Sequence, residues 1–312
     1  MAQEESPRKV VVVGSLTMDF TAVAGRMPEL GETVLGDDFL MVAGGKGNNQ
    51  AIAAARAGGE VTMIGCVGDD DLGPMIRSAV VEERMDDGVM VVPGKSGVAH
   101  IMVGGGGTNR IIMIPLANAL LSAEKVRQAA ASFQGAGVVL CQLEVPVEAV
   151  VEAFRIGRQE SSITILNPAP AAELSDELCG LVDILIPNET EASWLTGCDT
   201  SDLGGCEGAA RQLLARGIGT VIITRGAEGI LVATADGARS FAPFSVQAID
   251  STAAGDAFCG ALASGLASGA VFDDALLRAQ AAGALATTVL GASPSLPQRD
   301  LIDALVARGS SR

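Results

Sequence analysis

In residues 9–13, Lys9-Val10-Val11-Val12-Val13, one lysine leads an unbroken run of four β-branched valines that stops at Gly14. A strand reads this way when both of its faces are buried, the situation inside a parallel sheet covered by helices. The pattern recurs at Val61–Val67, Gly137–Leu143, Ile163–Leu166, Asp183–Ile186, Gly219–Thr224 and Ile230–Ala233. Helical stretches lie between most of these runs. Asp69-Asp70-Asp71 opens a helix to about Met85, with acids in its first turn and Pro74 early enough to be tolerated. Ser122 begins another, and Pro146 opens a helix to Gly157. Two more are expected near Asp273–Leu290 and Gln298–Arg308. The expectation is an α/β fold, a doubly wound and mainly parallel sheet flanked by helices, spanning residues 1–312 as one domain.

Two stretches break this rhythm. Thr21–Val42 shows short strand-like pieces punctuated by Pro28, Gly31 and Gly36-Asp37-Asp38. Val98–Val103 and Arg110–Ile114 flank Gly104–Asn109, which reads as a hairpin with a flexible tip. Together they suggest a small β-sheet lid, from about 16–43 and 98–116, able to cover a site or form dimer contacts. Residues Met1–Arg8 read as a frayed polar end.

The net charge of -16 argues against a general nucleic-acid or anionic-membrane partner. It leaves room for a local phosphate site made of backbone amides. Six cysteines include no Cys-x-x-Cys pair, and His100 is the single histidine, so zinc-type spacing is missing. No charged-then-apolar leader opens the chain, and the uncharged run Ala257–Phe272 is short for a membrane span. A cytoplasmic setting is expected. With no Ser or Cys motif nearby, His100 suggests no catalytic triad.

In open α/β sheets ligands sit beyond the carboxyl ends of the strands. Asp19, Glu144, Asn188, Thr224 and Asp256 all fall there. Around Asp256, Phe244 and Val246 suggest a short strand, and Phe258, Leu262 and Leu266 mark a helix face. The small residues between them open the helix, whose first amides have no internal partner and can wrap an anion. A carboxylate at such a place repels phosphate, so Asp256 is either a proton acceptor or a plain helix-start acid. Gly44-Gly45-Lys46-Gly47-Asn48-Asn49-Gln50 precedes the helix Ala51–Ala57; its glycines permit close backbone approach to a ligand, and Lys46, Asn48 and Asn49 supply donors. It is not a Walker A loop. Asn188 and Glu191 have the spacing of a capping box and could equally address Mg²⁺ waters or phosphate. Thr224-Arg225-Gly226-Ala227-Glu228-Gly229 is a tight turn that could also contact phosphate.

The chain resembles the ribokinase family of carbohydrate kinases from Val10 to about Leu305. The motifs that carry this are Gly44-Gly45-Lys46-Gly47 with Asn49-Gln50, Asn167-Pro168-Ala169-Pro170, Pro187 through Glu191, and Asp250 through Asp256. The resemblance implies ATP-dependent phosphorylation of a sugar's primary hydroxyl, with ribose the leading substrate and 2-deoxyribose or another pentose or ketose the alternatives. Asp256 would be the base, and the amides of Ala253, Ala254, Gly255 and Asp256 the anion hole. The sugar would meet Asp19, Gly45, Lys46, Asn49, Glu144 and Asp256, with Gly47 in the same loop. Thr224–Gly229 would line the nucleotide side, with Asn188 and Glu191 near phosphate and Mg²⁺. A monovalent cation, K⁺, would lie by Asp250, Thr252, Ala286, Val289, Gly291 and Ser295. A homodimer through the lid is also implied.

Three positions depart from the family pattern. Thr17 replaces an Asn that touches the sugar, Asn48 replaces an Ala beside the lysine, and Gln280 replaces a polar adenine-side residue. Competing readings are a nucleoside kinase of the same superfamily and a non-catalytic sugar or nucleotide sensor. A nicotinamide oxidoreductase is disfavoured because no Gly-x-Gly-x-x-Gly follows the first strand.

Overall fold

The computed structural model describes residues 8–105 and 109–309. Residues 1–7, where a frayed end is expected, and residues 106–108 of the hairpin tip lie outside it. In chain order the elements are β1 (Lys9–Val13), β2 (Thr17–Val23), β3 (Asp38–Gly44), α1 (Lys46–Arg56), β4 (Val61–Gly68), α2 (Leu72–Glu82), β5 (Asp86–Val92), β6 (Gly97–Val103) and β7 (Asn109–Ile114). Then come α3 (Ala123–Gln128), β8 (Ala136–Cys141), α4 (Val147–Gln159), β9 (Ile163–Leu166), α5 (Asp176–Cys179), β10 (Ile184–Leu185), α6 (Glu189–Thr196) and α7 (Leu203–Leu214). The chain finishes with β11 (Thr220–Thr224), β12 (Ile230–Thr234), β13 (Gly237–Phe241), α8 (Ala254–Ala267), α9 (Phe272–Ala286) and α10 (Arg299–Gly309).

Among the described residues the large sheet has the order β13-β12-β11-β10-β9-β8-β1-β4-β5. Its pairs are parallel except at β11–β12 and β12–β13. The valines of β1 explain its unbroken run. Val10 and Val12 enter one apolar layer, with residues of α1, α8 and α9, while Val11 and Val13 enter the other, with residues of α3, α4 and α7. Successive side chains face opposite ways, so a strand between two helical layers needs an apolar residue at every position. The mainly parallel α/β sheet flanked by helices is therefore as the sequence implies.

A second sheet has the order β3-β2-β6-β7. β2 pairs antiparallel with β3 and parallel with β6, so it is not a simple meander. It grows directly from the end of β1, because only Gly14, Ser15 and Leu16 separate β1 from β2.

Several boundaries differ from the sequence reading. Residues 242–248 form no strand; the strand before α8 is β13, further upstream. Phe244 instead packs at the chain's end, where a Cβ on Gly309 would fall 2.6 Å from its ring. β13 escapes notice because it is an exposed edge without apolar alternation. β5, which pairs with β4 along Thr62–Gly68, is also unanticipated, since its first residues are acidic and exposed. The helix expected from Asp69 starts at Leu72, because Asp70 is occupied outside it: its carboxylate accepts from Ser96 Oγ (2.6 Å), Ser96 N (2.9 Å) and Gly73 N (3.1 Å). α9 stops at Ala286 rather than Leu290, and the Thr287 carbonyl accepts the amides of Ile249 (2.7 Å) and Asp250 (3.1 Å).

Candidate active site

β2 alternates, so Thr17 and Asp19 share one face. Thr17 Oγ1 donates to Asp19 Oδ1 at 2.6 Å. Burial pushes the Asp19 carboxyl up to about 6; Thr17 opposes the rise, and Glu144 and Asp256 add to it. Glu144, three residues past β8, is anchored from two sides. Its Oε2 accepts from Ser15 Oγ (2.5 Å) and from the Lys46 amide (3.0 Å). Ser15 Oγ in turn accepts from Gly47 N at 3.2 Å. The glycine is required here: a Cβ on Gly47 would lie 2.5 Å from Ser15 N.

Gly45, at φ 92°, turns the chain into α1. Burial depresses the Lys46 ammonium, but Asp256, Glu144 and Glu191 around it outweigh burial and hold it above its ordinary value. It is therefore a half-buried cation facing three acids. One helical turn later, Asn49 and Gln50 point at α8. Asn49 Nδ2 donates to Asp256 Oδ2 (3.3 Å) and Gln50 Nε2 to Asp256 Oδ1 (2.9 Å). The approach is close because α8 carries Gly260, where a Cβ would fall 2.5 Å from the Gln50 carbonyl oxygen.

α8 begins at Ala254, after Ala253 in the left-handed conformation (φ 60°). An alanine held there stores roughly 1 kcal/mol or more of backbone strain, which the turn must offset. Asp256 is buried. Burial pushes its carboxyl above the usual range, Lys46, Gln50 and Asn49 pull it back, and Glu144 adds to the rise. A Cβ on Gly255 would meet nothing within 4 Å. Unlike Gly47 and Gly260, this glycine faces open space beside helix-start amides.

Two cavities meet at this point. The larger, about 280 Å³, is lined by Thr17, Asp19, Gly45, Asn49 and Glu144, and roofed by Ala99, Ile101, Ile111 and Met113 of the small sheet. The smaller, about 180 Å³, is lined by Asn167, Asn188, Glu191, Thr224, Gly255 and Cys259. Lys46, Ser251, Ala253 and Asp256 line both.

The other expected site residues divide between the cavity walls and places away from them. Gly47 and Asn48 are buried against the end of β1 and line neither cavity; neither polar atom of the Asn48 side chain finds a partner among the described residues. Asn188 and Glu191 form the capping box, each accepting the other's amide (2.8 and 2.9 Å), and line the smaller cavity as well. Burial raises the Glu191 carboxyl against the pull of the Asn188 amide and Lys46. α6 also presents Trp194, which is 57% exposed. Thr224 lines the smaller cavity, whereas Arg225, Gly226, Ala227, Glu228 and Gly229 make the β11–β12 hairpin turn, closed by Arg225 N donating to the Gly229 carbonyl (2.9 Å). Arg225 lies 3.4 Å from Glu189. Gln280 donates to the Ala242 carbonyl (3.1 Å) and lines neither cavity.

Asp250 binds two loops together. Its Oδ1 accepts from Thr252 N (2.9 Å) and Oγ1 (2.6 Å), and its Oδ2 from Gly291 N (2.9 Å). Burial alone would raise this carboxyl; the three hydrogen bonds outweigh it and hold the carboxyl below its ordinary value. Ser295 Oγ donates to the Ala292 carbonyl (2.8 Å), and Val289 N reaches back to Ala286 at 3.4 Å. Asp250 and these carbonyls are hard oxygen donors. Ser15, Gln50, Gln142, Asn167, Ser251 and Cys259 also belong to the site; Gln50, Asn167 and Ser251 stand inside the family motifs, but none of the six was assigned an individual role from sequence. The strand-end rule points to Ser15, Gln142 and Asn167, each placed directly after a strand or one residue beyond.

An acid and a lysine shared by two cavities, beside the first amides of α8, define a phosphoryl-transfer enzyme acting on a polar small molecule. The model of the pfkB family of carbohydrate kinases matches residues 7–299. Ribokinase from Haemophilus influenzae is 40% identical over 294 residues, covering 94% of this chain and 96% of that protein. Deoxyribokinase from Salmonella typhi is 35% identical over 291 residues, covering 92% and 95%. The structure of ribokinase from Arabidopsis thaliana complexed with ribose and ATP superposes with a TM-score of 0.85 at 30% identity, covering 96% of this chain and 98% of that one. The chain belongs to the pfkB family of carbohydrate kinases, and is thus an ATP-dependent sugar phosphotransferase.

Proposed function

We propose that this enzyme phosphorylates the 5-hydroxyl of D-ribose. The observation that carries the reading is the position of Asp256, in the wall common to both cavities. The larger cavity has the chemistry of a polyol site: Asp19 and Glu144 accept hydroxyls, Asn49 and Lys46 donate, and the apolar residues of the small sheet cover the carbon face. The smaller would take the γ-phosphate of ATP.

In this mechanism Asp256 takes the proton from the attacking hydroxyl, and the amides of Ala253 to Asp256 receive the charge gathering on the phosphoryl oxygens. Lys46 adds a fixed positive charge between the reactants. The open space at Gly255 fits an anion brought against the backbone. Positioning and charge stabilisation supply most of what phosphoryl transfer needs.

Asn188 and Glu191 suit Mg²⁺, which typically keeps several waters and binds through one or two carboxylates plus substrate phosphates. When bound it would neutralise phosphate charge. The oxygens around Asp250, with Thr252, Ala286, Val289, Gly291 and Ser295, suit K⁺, and Asp250 ties that loop to the start of the anion hole. The small sheet acts as a lid, and its exposed Phe39, Leu40 and Ile112 suit a homodimer contact. The setting is cytoplasmic.

A second reading is 2-deoxyribose. Thr17 already occupies Asp19 Oδ1, which leaves fewer acceptors for ligand hydroxyls. A panel of pentoses and hexoses with ATP and Mg²⁺, with and without K⁺, separates the two. Asp256→Asn should lower kcat about 10²–10⁴-fold while ATP binding changes little. Unchanged turnover in that variant rejects the base.

A further inference from the structure

The two oxygens of Asp256 have different surroundings. Oδ2 is held by a long contact, 3.3 Å from Asn49, a residue that lines the larger cavity. Oδ1 is held at 2.9 Å by Gln50, which lines neither cavity. Oδ2 thus has its partner in the wall of the larger cavity, whereas the partner of Oδ1 lies in neither wall.

Behind Gln50 the hydrogen-bond polarity is dictated. The Ile186 carbonyl can only accept, so Asn167 presents Nδ2 to it (2.8 Å) and must turn Oδ1 the other way. Gln50 Nε2 donates to that Oδ1 (3.1 Å) as well as to Asp256, so its own Oε1 faces Gln142, whose Nε2 donates to it at 2.6 Å. Gln50, Gln142 and Asn167 are all buried. Space for the chain is reserved by glycine: a Cβ on Gly14 would lie 2.1 Å from Gln142 Oε1. The amides come from α1 and from the ends of β8 and β9, so the brace joins three separate elements of the sheet and its cover.

We propose that Gln50, braced by Gln142, is a positioning residue for the reaction: it engages Oδ1 and leaves Oδ2 as the oxygen that receives the sugar's proton. This rests on the reading of Asp256 as the base. In the step, the hydroxyl O–H bond breaks and its proton goes to Oδ2. The hydroxyl oxygen bonds to the γ-phosphorus as the bond from that phosphorus to the leaving ADP oxygen breaks. A neutral donor fixed on Oδ1 also favours the charged carboxylate, opposing the burial that favours the neutral form.

The test uses the full chain with Gln50→Met, Gln142→Met, the double variant and Asp256→Asn, comparing kcat against pH, KM, ATP binding and Tm. Gln50→Met should lower kcat roughly 10- to 100-fold, the worth of a hydrogen bond to a charged group. Both KM values should stay within about threefold, and the acid limb of kcat should move to higher pH by about one unit, since the lost donor had favoured ionisation. Gln142→Met should shift the same limb in the same direction by less. The double variant should be no more than about twofold slower than Gln50→Met, because the two act through one contact. A parental acid limb in Gln50→Met, or additive losses in the double variant, overturns the proposal. If Gln50→Met fails to fold, the acid limb of Gln142→Met decides alone. Full turnover in Asp256→Asn would instead remove the base itself; a dead Asp256→Asn beside a parental limb in Gln50→Met removes only the brace.

Discussion

Replacing Gly255 by alanine should make the protein more stable and much less active. Gly255 is in the first turn of α8 and is not among the positive-φ glycines. A Cβ there meets nothing within 4 Å, so the folded state accepts the methyl without strain. Alanine removes the entropic penalty of glycine in a helix, a gain of about 0.5–1 kcal/mol. With 312 residues and roughly 2.1 cal/mol/K of unfolding entropy per residue, the total is about 0.65 kcal/mol/K, so Tm rises by about 0.8–1.5 °C. Helical Cβ atoms tilt toward the helix start, which aims the methyl at the side from which the phosphoryl group must reach the amides. Losing one such interaction costs about 10²–10³ in kcat. Calorimetry and a coupled ADP-release assay read both numbers from one preparation. Turnover within threefold of the parent would show that no reacting group passes Gly255. A Tm lowered by several degrees would show that the space is not open.

Two further outcomes follow from the same geometry. Asp19→Asn should stabilise the ligand-free protein at pH 8 by up to about 3 kcal/mol, the equivalent of a carboxyl raised from 3.8 to about 6. Because this acid's pKa is raised in the folded state, its penalty is complete above about pH 6 and gone below about pH 4. The advantage should therefore shrink as pH falls through that window in thermal melts, and an advantage that grows toward acid would refute the argument. Glu191→Gln keeps an acceptor for the Asn188 amide, so Tm should hold within about 2 °C, while the Mg²⁺ concentration needed for half-maximal rate rises at least several-fold. A loss of stability without any change in Mg²⁺ requirement would leave Glu191 as a cap alone.

The buried valines of β1 and the residues placed after strand ends were legible because each is a local pattern with one physical cause. The capping box at Asn188 was legible for the same reason, although the spacing could not show that these side chains also line a cavity. β5 and β13 were not legible, since half-exposed edge strands carry no apolar rhythm. The Gln142–Gln50–Asp256 chain was hidden for another reason. Its members are 92 and 206 residues apart, and nothing local marks a glutamine whose partner is another buried amide. Gly14 and Gly260 were equally silent, because a glycine that admits a neighbouring backbone looks in sequence like one that loosens a turn; Gly47 was read as admitting a ligand, whereas it admits the end of β1.

Trp194 gives the molecule a built-in optical reporter. The chain has one tryptophan and no tyrosine, so its near-ultraviolet emission comes from a single exposed indole. That indole rides on α6, about 9 Å along the helix from Asn188 at the rise of ~1.5 Å per residue. Without any label, the colour and quenching of that light follow one short helix at the rim of the smaller cavity and nothing else in the fold.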